Sequence, residues 1–308
     1  MSVLAPFSHP ALLYHDEREY LAGTLPFVRR GLDAGEPVAV AVPGRRLELL
    51  RAGLGAAAQR VRFVDMSVAG RNPGRIIPKI LRDFADAHRG RRVRIIGEPI
   101  WRGRSATEYP ACVQHEALIN LAFAGRTATI LCPYDADELD PRVLEDAALT
   151  HPVLIEHGTE RPSPDFDPEK IIEAYNDLGP EPADAAALDF DADALGDVRE
   201  FATAEAARRG LAGDRLLDLE LTVNELAANS LVHGGGHGTL RVWSRSGHVV
   251  CEISDSGRLR DPLAGRHPVG PDAHGGRGLL LVNQISDLVR MSRTADGTRI
   301  QVHFAVGS

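Results

Sequence analysis

Over the first 150 residues, short runs that are apolar almost throughout alternate with longer stretches whose apolar positions recur every three or four residues. The short runs are Ala11–Tyr14, Val38–Val42, Val61–Asp65, Val93–Gly97 and Thr127–Cys132. Runs without polar alternation predict strands covered on both faces. Between them, Tyr20, Leu21, Leu25, Val28 and Leu32 mark one amphipathic helix, and Ile76, Ile77, Ile80, Leu81 and Phe84 mark a second. A third runs over Tyr109–Ala124 and is stopped by Gly125. Strand–helix alternation of this kind predicts an α/β domain, a parallel sheet with helices on its faces.

The pattern changes after residue 157. Residues 158–168 are rich in proline and polar groups, Glu169–Leu178 is a short helical segment, and Gly179–Asp193 is rich in Pro, Ala and Asp. The expected organisation is therefore an α/β domain over 1–157, a linker with a short helix over 158–186, and a second domain over 187–308. That second domain opens with a strand-like Ala187–Phe190 and a helix over Leu195–Arg209. The next helix starts near Asp214, a candidate N-cap, with Leu216, Leu219, Val223, Leu226 and Ser230 as its inward stripe. Strands follow at Thr239–Ser244 and Val249–Asp255, then a helix over Leu279–Ile285 and a closing hairpin turning at Ala295–Gly297. In the second of those strands Val249, Cys251 and Ile253 share one face, and Val250, Glu252 and Ser254 the other. Helices over an antiparallel-leaning sheet make this half α+β.

Composition narrows the function classes. A length of 308 residues supports two cores of ordinary size. The net charge of −8 argues against a general nucleic-acid binder, and the local cluster Arg89–Arg94 reads as a solvated helix end and strand entry. Three cysteines, none in a C-x-x-C pair, suggest neither a zinc knuckle nor a redox motif and fit a reducing cytoplasm. No signal-peptide pattern and no apolar run of membrane-spanning length is present, so a cytoplasmic protein without a membrane partner is expected.

The chemistry concentrates in the second half. Glu225, Asn229 and His233 stand at i, i+4 and i+8, so one helix flank carries all three. Asp255-Ser256-Gly257 follows a strand, Gly275-Gly276-Arg277-Gly278 precedes a helix, and Gly297-Thr298 opens the last strand. These boxes, in this order, resemble those of the Bergerat-fold (GHKL) ATPases over residues 187–306. The glycine box followed by Leu279, Leu280, Leu281 and Val282 is similar to that of the anti-sigma-factor serine kinases. The resemblance implies ATP and magnesium as ligands. Asn229 would offer magnesium a neutral hard oxygen. Glu225 would act as general base. Asp255, acceptor-only when ionised, would take a proton of the adenine amine that guanine lacks. Gly257 would let backbone approach the base, and Thr298 would support it through its hydroxyl. Gly276, Arg277 and Gly278 would present free amides to phosphate at a helix N-terminus, and His233 would close the helix end. The segment Arg258–His274, with Arg258, Arg260 and Arg266, would be a mobile ATP lid.

The first half resembles the MEDS domain, a sensory module of methanogen and methylotroph regulators. The resembling residues are His15, Gly35-Glu36-Pro37, Gly97-Glu98-Pro99, Glu116 with Asn120, and Cys132-Pro133-Tyr134-Asp135, within 9–152. That family is held to descend from RecA-like folds, yet no G-x-x-x-x-G-K-[ST] is present, so no nucleotide is expected here. His15, Glu98, Trp101 and Cys132 all follow strands closely, where open parallel sheets bind ligands, and are candidates for one sensory pocket for a small-molecule signal. No ligand spacing suggests a metal there.

Together the resemblances imply a sensor-controlled ATP-dependent serine/threonine protein kinase. Its partners would be a sigma factor or a STAS-type anti-sigma antagonist, and a homodimer is left open. Two alternatives stand beside it. One is an ATP-dependent docking switch that transfers no phosphate. The other is a sensor histidine kinase-like protein with His115 as acceptor, which requires an exposed histidine on a long helical hairpin.

Overall fold

The computed structural model describes residues 7–268 and 276–307. They divide into two compact units, Met1–Ala174 and Tyr175–Ser308.

The first unit starts with β1 (Phe7–Ser8) and β2 (Pro10–Tyr14), two pieces of one extended stretch interrupted at His9. Then come α1 (Glu17–Asp33), β3 (Val38–Val42), α2 (Gly44–Leu54), β4 (Val61–Asp65) and the single turn α3 (Met66–Ala69). They are followed by α4 (Arg82–Ala87), β5 (Val93–Gly97), α5 (Tyr109–Ala122), β6 (Ala128–Asp135), α6 (Pro141–Thr150), β7 (Val153–Glu156), β8 (Thr159–Pro162) and α7 (Pro168–Ala174). The sheet order is β4-β3-β5-β6-β2-β7-β8, with β1 also on β6. Every pairing is parallel except the β7–β8 hairpin. β2 and β3 are buried at every position, as strands sandwiched by helices must be.

Local chemistry explains where these elements start and stop. Asp16 caps α1 by accepting from the Glu19 amide at 2.7 Å, and Gly35, at φ 69°, takes the chain out of it. The inward face of α1 carries Tyr20, Phe27, Val28 and Leu32, each of whose burial contributes on the order of 2 kcal/mol. The stripe Ile76–Phe84 is buried as expected but is not one regular helix. It passes through a 3-10 turn and a π turn over Ile77–Leu81 before α4 begins. Pro78 lies in that turn, lacks the amide an α-helical ladder needs, and accounts for the irregularity.

The second unit runs β9 (Ala186–Asp191), α8 (Leu195–Arg208), α9 (Asp214–His233), β10 (His237–Arg245), β11 (His248–Asp255), α10 (Arg277–Ile285), β12 (Leu288–Arg293) and β13 (Thr298–Ala305). Its antiparallel sheet has the order β12-β13-β11-β10-β9. One face packs on the helices through Val198, Ala202, Leu219, Val223, Leu226, Val249, Cys251 and Phe304. Asp214 is the first residue of α9 rather than its cap. The capping position is Gly213, at φ 59°, and makes no side-chain cap.

The stretch read as a linker is not one. β8 extends the first sheet, and residues 175–181 lie along the other face of the second. Asn176 exchanges two hydrogen bonds with the Arg293 backbone, at 2.7 and 2.8 Å, and the Arg290 guanidinium donates to the Tyr175 and Asp177 carbonyls. Arg241 pairs with Glu181 at 2.7 Å. Val250 and Glu252 on that face are accordingly fully buried. Glu252 accepts from Arg299 and from Gln301, the latter at 2.8 Å, so its charge is compensated.

His303 on β13 is buried on the same side, and burial, with His248, Arg290 and Arg245 adding, pulls its pKa down to about 3. It is therefore neutral in the fold while an unfolded chain protonates near 6.5. The unfolded state binds the extra proton, so stability is full above pH 6.5 and is lost as the pH falls toward 3. His303→Gln is expected to flatten the acid limb of stability between pH 6.5 and 4. Denaturant midpoints at several pH values check this, and an unchanged slope would contradict it.

Candidate functional site

α9 and α10 lie side by side over the sheet, and the ends of β11 and β13 open between them. Asn229, His233, Asp255, Gly257 and Thr298 line one hollow of about 520 Å³ with Val232, Leu259, Leu279 and Ile300. That volume suits a ligand of nucleotide size, and the lining mixes apolar walls with a few polar groups. Glu225 stands one helical turn from Asn229 and abuts the first turn of α10. A Cβ added at Gly278 would come within 2.6 Å of its carboxylate. Gly276 is the αL N-cap of α10, at φ 77°, and Arg277 is its first residue. Gly275 and the lid residues 269–274 lie outside the described residues.

The position of Asp255 is fixed through both of its oxygens. One accepts from the Ser230 hydroxyl at 2.6 Å, the other from the Gly257 amide at 2.8 Å. Ser230 is the last position of the inward stripe of α9, and in the sequence it reads only as a small residue on that face. Gly257 is required by the protein itself. A Cβ there would sit 2.4 Å from the His233 carbonyl and 2.6 Å from Gly234 Cα. Thr298 lines the hollow, but its hydroxyl donates to the Gly257 carbonyl at 2.8 Å and accepts from the Leu259 amide. The Thr298 hydroxyl thus also supports the turn that carries Asp255, a role not expected from sequence. The Asn229 carboxamide nitrogen is buried with no hydrogen-bond partner among the described residues. That nitrogen is a donor and calls for an acceptor, such as an oxygen of a ligand in the hollow, while the carboxamide oxygen is the atom that could face a cation.

The first part of the expected lid is packed rather than free. Leu263 and Arg266 are buried, and the Gly265 carbonyl accepts from Asn283 of α10 at 3.2 Å. Gly265 itself abuts Leu279 and Asn283 so closely that a Cβ would meet both under 3 Å. Arg258 donates to the Ala295 carbonyl, and Arg260 is exposed.

In the first unit the four pocket candidates separate into distinct neighbourhoods. His15 pairs with Asp137 at 2.8 Å and stacks on His157. Trp101 carries the Arg104 guanidinium 4.0 Å above its ring. Glu98 is buried beside Arg46, at 3.2 Å, and Arg46 in turn lies over Tyr14 and Tyr20. Burial pushes the Glu98 carboxyl up to about 8, against the pull of Arg46. Cys132 belongs to a buried group with His9, Glu116 and His151. The four thus have different immediate partners, although Glu98 and Cys132 lie close enough for the Glu98 charge to help raise the Cys132 thiol. His115 is buried within α5 at 1% exposure, which removes it as an exposed phosphoacceptor.

Two family models match the chain. The MEthanogen/methylotroph, DcmR Sensory domain (MEDS) matches residues 8–152, and the histidine kinase-like ATPase domain matches residues 188–304. The chain is a MEDS domain fused to a histidine kinase-like ATPase domain. No curated protein matches it. Among solved structures, the Acinetobacter baumannii histidine kinase AdeS aligns at 9% identity over 65% of this chain and 96% of that one, with a TM-score of 0.24. No helix among the described residues is long and apolar enough to cross a membrane.

The residues missed by sequence reasoning have a common cause. In the ATPase domain, Ser230 and Asn283 act through contacts to Asp255 and Gly265, 25 and 18 residues away in sequence. In the MEDS domain, His9 and His151 meet Glu116 only through the sheet order, and no local spacing announces them.

Proposed function

We propose that this is a regulatory ATP-dependent serine/threonine kinase of the anti-sigma-factor type, controlled by its MEDS domain. The observation that carries the reading is the convergence of Asn229, His233, Asp255, Gly257 and Thr298 on one hollow beside the N-terminus of α10. Asp255 would accept from the adenine amine, and Asn229 would hold magnesium on the phosphates. The N-terminal amides and dipole of α10 would face the phosphate tail. Magnesium, when bound, neutralises charge on the transferring phosphoryl group. Glu225, one turn from Asn229, would take the proton as a serine or threonine hydroxyl attacks the γ-phosphorus and ADP leaves. The acceptor would be a STAS-type antagonist, with sigma-factor sequestration as the accompanying role.

A docking switch that binds ATP without transferring phosphate rests on the same site and parts from the kinase at one step. The test follows labelled γ-phosphate from Mg·ATP onto candidate antagonists, alongside equilibrium titration of ATP. Wild type is expected to label a serine or threonine. Asn229→Ala is expected to weaken magnesium-dependent ATP binding by about tenfold to a hundredfold, equivalent to about 1.5–3 kcal/mol. Equal binding by both proteins would sink the site assignment, and binding without any labelled acceptor would favour the switch.

A further inference from the structure

We propose that His9, Glu116, Cys132 and His151 form a binding site for one late first-row divalent cation, zinc by its donor set, in the core of the MEDS domain. Four separate segments deliver these residues. His9 sits at the break between β1 and β2, Glu116 on α5, Cys132 on β6 beside Ala11, and His151 directly after α6. All four are at most 1% exposed, and one donor atom from each lies within 4.8 Å of every other.

Three of the six donor–donor distances are close to those of a coordination shell, and the others lie within 4.8 Å. Nε2 of His9 and of His151 each lie 3.2 Å from the same carboxylate oxygen, Glu116 Oε2, and Cys132 Sγ lies 3.4 Å from His9 Nε2. Tetrahedral bonds of about 2.0–2.3 Å place neighbouring donor atoms roughly 3.3–3.6 Å apart.

The hydrogen positions decide what these atoms offer. Asn120 donates through Nδ2 to the carbonyls of Thr150, Glu116 and Ala117, which leaves its Oδ1 as the acceptor facing His9 Nδ1 at 3.2 Å. His151 Nδ1 faces the Ala147 carbonyl at 2.9 Å. Both imidazoles in their neutral form therefore carry hydrogen on Nδ1 and a bare lone pair on Nε2. Those two lone pairs aim at a carboxylate, and among the described residues neither Glu116 oxygen nor His151 Nε2 has a hydrogen-bond partner. Acceptors facing acceptors in a water-free core repel one another unless a cation lies between them. A single proton would bridge one pair and leave the other exposed; a divalent ion satisfies both imidazoles, the carboxylate and the thiolate together.

The outer contacts are of the kind that fix metal-ligating histidines, a carbonyl or amide oxygen on the far ring nitrogen. Two imidazoles, a thiolate and a carboxylate suit zinc and the neighbouring late metals, and exclude calcium and magnesium, which prefer all-oxygen shells. With four protein donors and no exposure the site is closed, as structural zinc sites are.

The test uses the full chain, dialysed against chelator and titrated with Co²⁺ alone, then with Zn²⁺. The expected result is one equivalent of cobalt, with intense tetrahedral visible bands and a near-ultraviolet thiolate-to-cobalt band, all displaced by zinc. Cys132→Ala is expected to lose the near-ultraviolet band, and His151→Gln to weaken uptake at least about a hundredfold, while His15→Ala leaves both unchanged. Failure of folded wild type to take up cobalt or zinc would overturn the site. Uptake by wild type without the sulfur band would overturn it as well, and that readout does not depend on any variant folding.

Discussion

Replacing Gly297 by alanine is expected to cost the ATPase domain at least about 3 kcal/mol and to abolish nucleotide binding with it. Gly297 sits at φ 152°, a conformation that L side chains rarely adopt. A Cβ there would lie 2.0 Å from the Asp255 carbonyl oxygen and 3.1 Å from Ser256 Cα, so the obstacle is backbone and no rotamer relieves it. Relief requires the β12–β13 turn to leave the end of β11, and this pulls Thr298 off Gly257 and Leu259. Fold and site thus fail together at this position. Unfolding followed by Trp243 fluorescence in a Trp101→Phe background reports on the second unit alone. The contrasting change is Gly196→Ala in α8, where an added Cβ meets nothing within 4 Å. That substitution is expected to stabilise by about 0.5–1 kcal/mol through helix propensity. Equal midpoints for Gly297→Ala and wild type would refute the close approach on which the glycine argument rests.

The legible and illegible parts of this molecule divide by range of interaction. The apolar runs at Val38–Val42 and Val93–Gly97 coincide with β3 and β5 because strands covered on both faces need no partner to be recognised, and Val61–Asp65 coincides with the edge strand β4, which is only partly buried. The turn at Ala295–Gly297 and the helix flank of Glu225, Asn229 and His233 are equally local. Residues 175–181 look like a linker because proline and acidic residues dominate near them. Their role lies in carbonyls and side chains that meet arginines of β12 and β13 more than 100 residues later. The His9–Glu116–Cys132–His151 group is hidden for the same reason, since its members span 142 residues and meet only because β2 lies between β6 and β7. The immediate partners of His15, Glu98, Trp101 and Cys132 are illegible for another reason: all four follow strands, but following a strand fixes a residue's edge of the sheet and not its neighbours.

Asp255→Asn is expected to weaken ATP binding by at least about tenfold and to erode the preference for ATP over GTP. The wild-type carboxylate is held by two donors, Ser230 Oγ and the Gly257 amide, and an ionised carboxylate has lone pairs left for a third. On the proposed function an adenine amine would supply that third donor, whereas the guanine carbonyl at the same edge would set acceptor against acceptor. Asparagine replaces one acceptor oxygen by an NH₂ group. Turned inward, that group meets the fixed Gly257 amide or displaces the Ser230 hydroxyl; turned outward, it meets the adenine amine donor to donor. Each arrangement leaves one buried group unpaired, at a cost of about 1–3 kcal/mol. The outward arrangement, however, donates to a guanine carbonyl, so GTP loses less than ATP and the ratio of the two affinities moves toward one. Ser230→Ala separates clamp from contact, because it frees one carboxylate oxygen without changing its charge. Its ATP affinity is expected to fall by only a few-fold and its purine preference to persist. Calorimetric titration of ATP and GTP against wild type and both variants gives three ATP-to-GTP ratios, with that of Asp255→Asn expected nearest to one and that of Ser230→Ala close to wild type. An Asp255→Asn protein with an unaltered ATP-to-GTP ratio would mean that the carboxylate does not read the base at all.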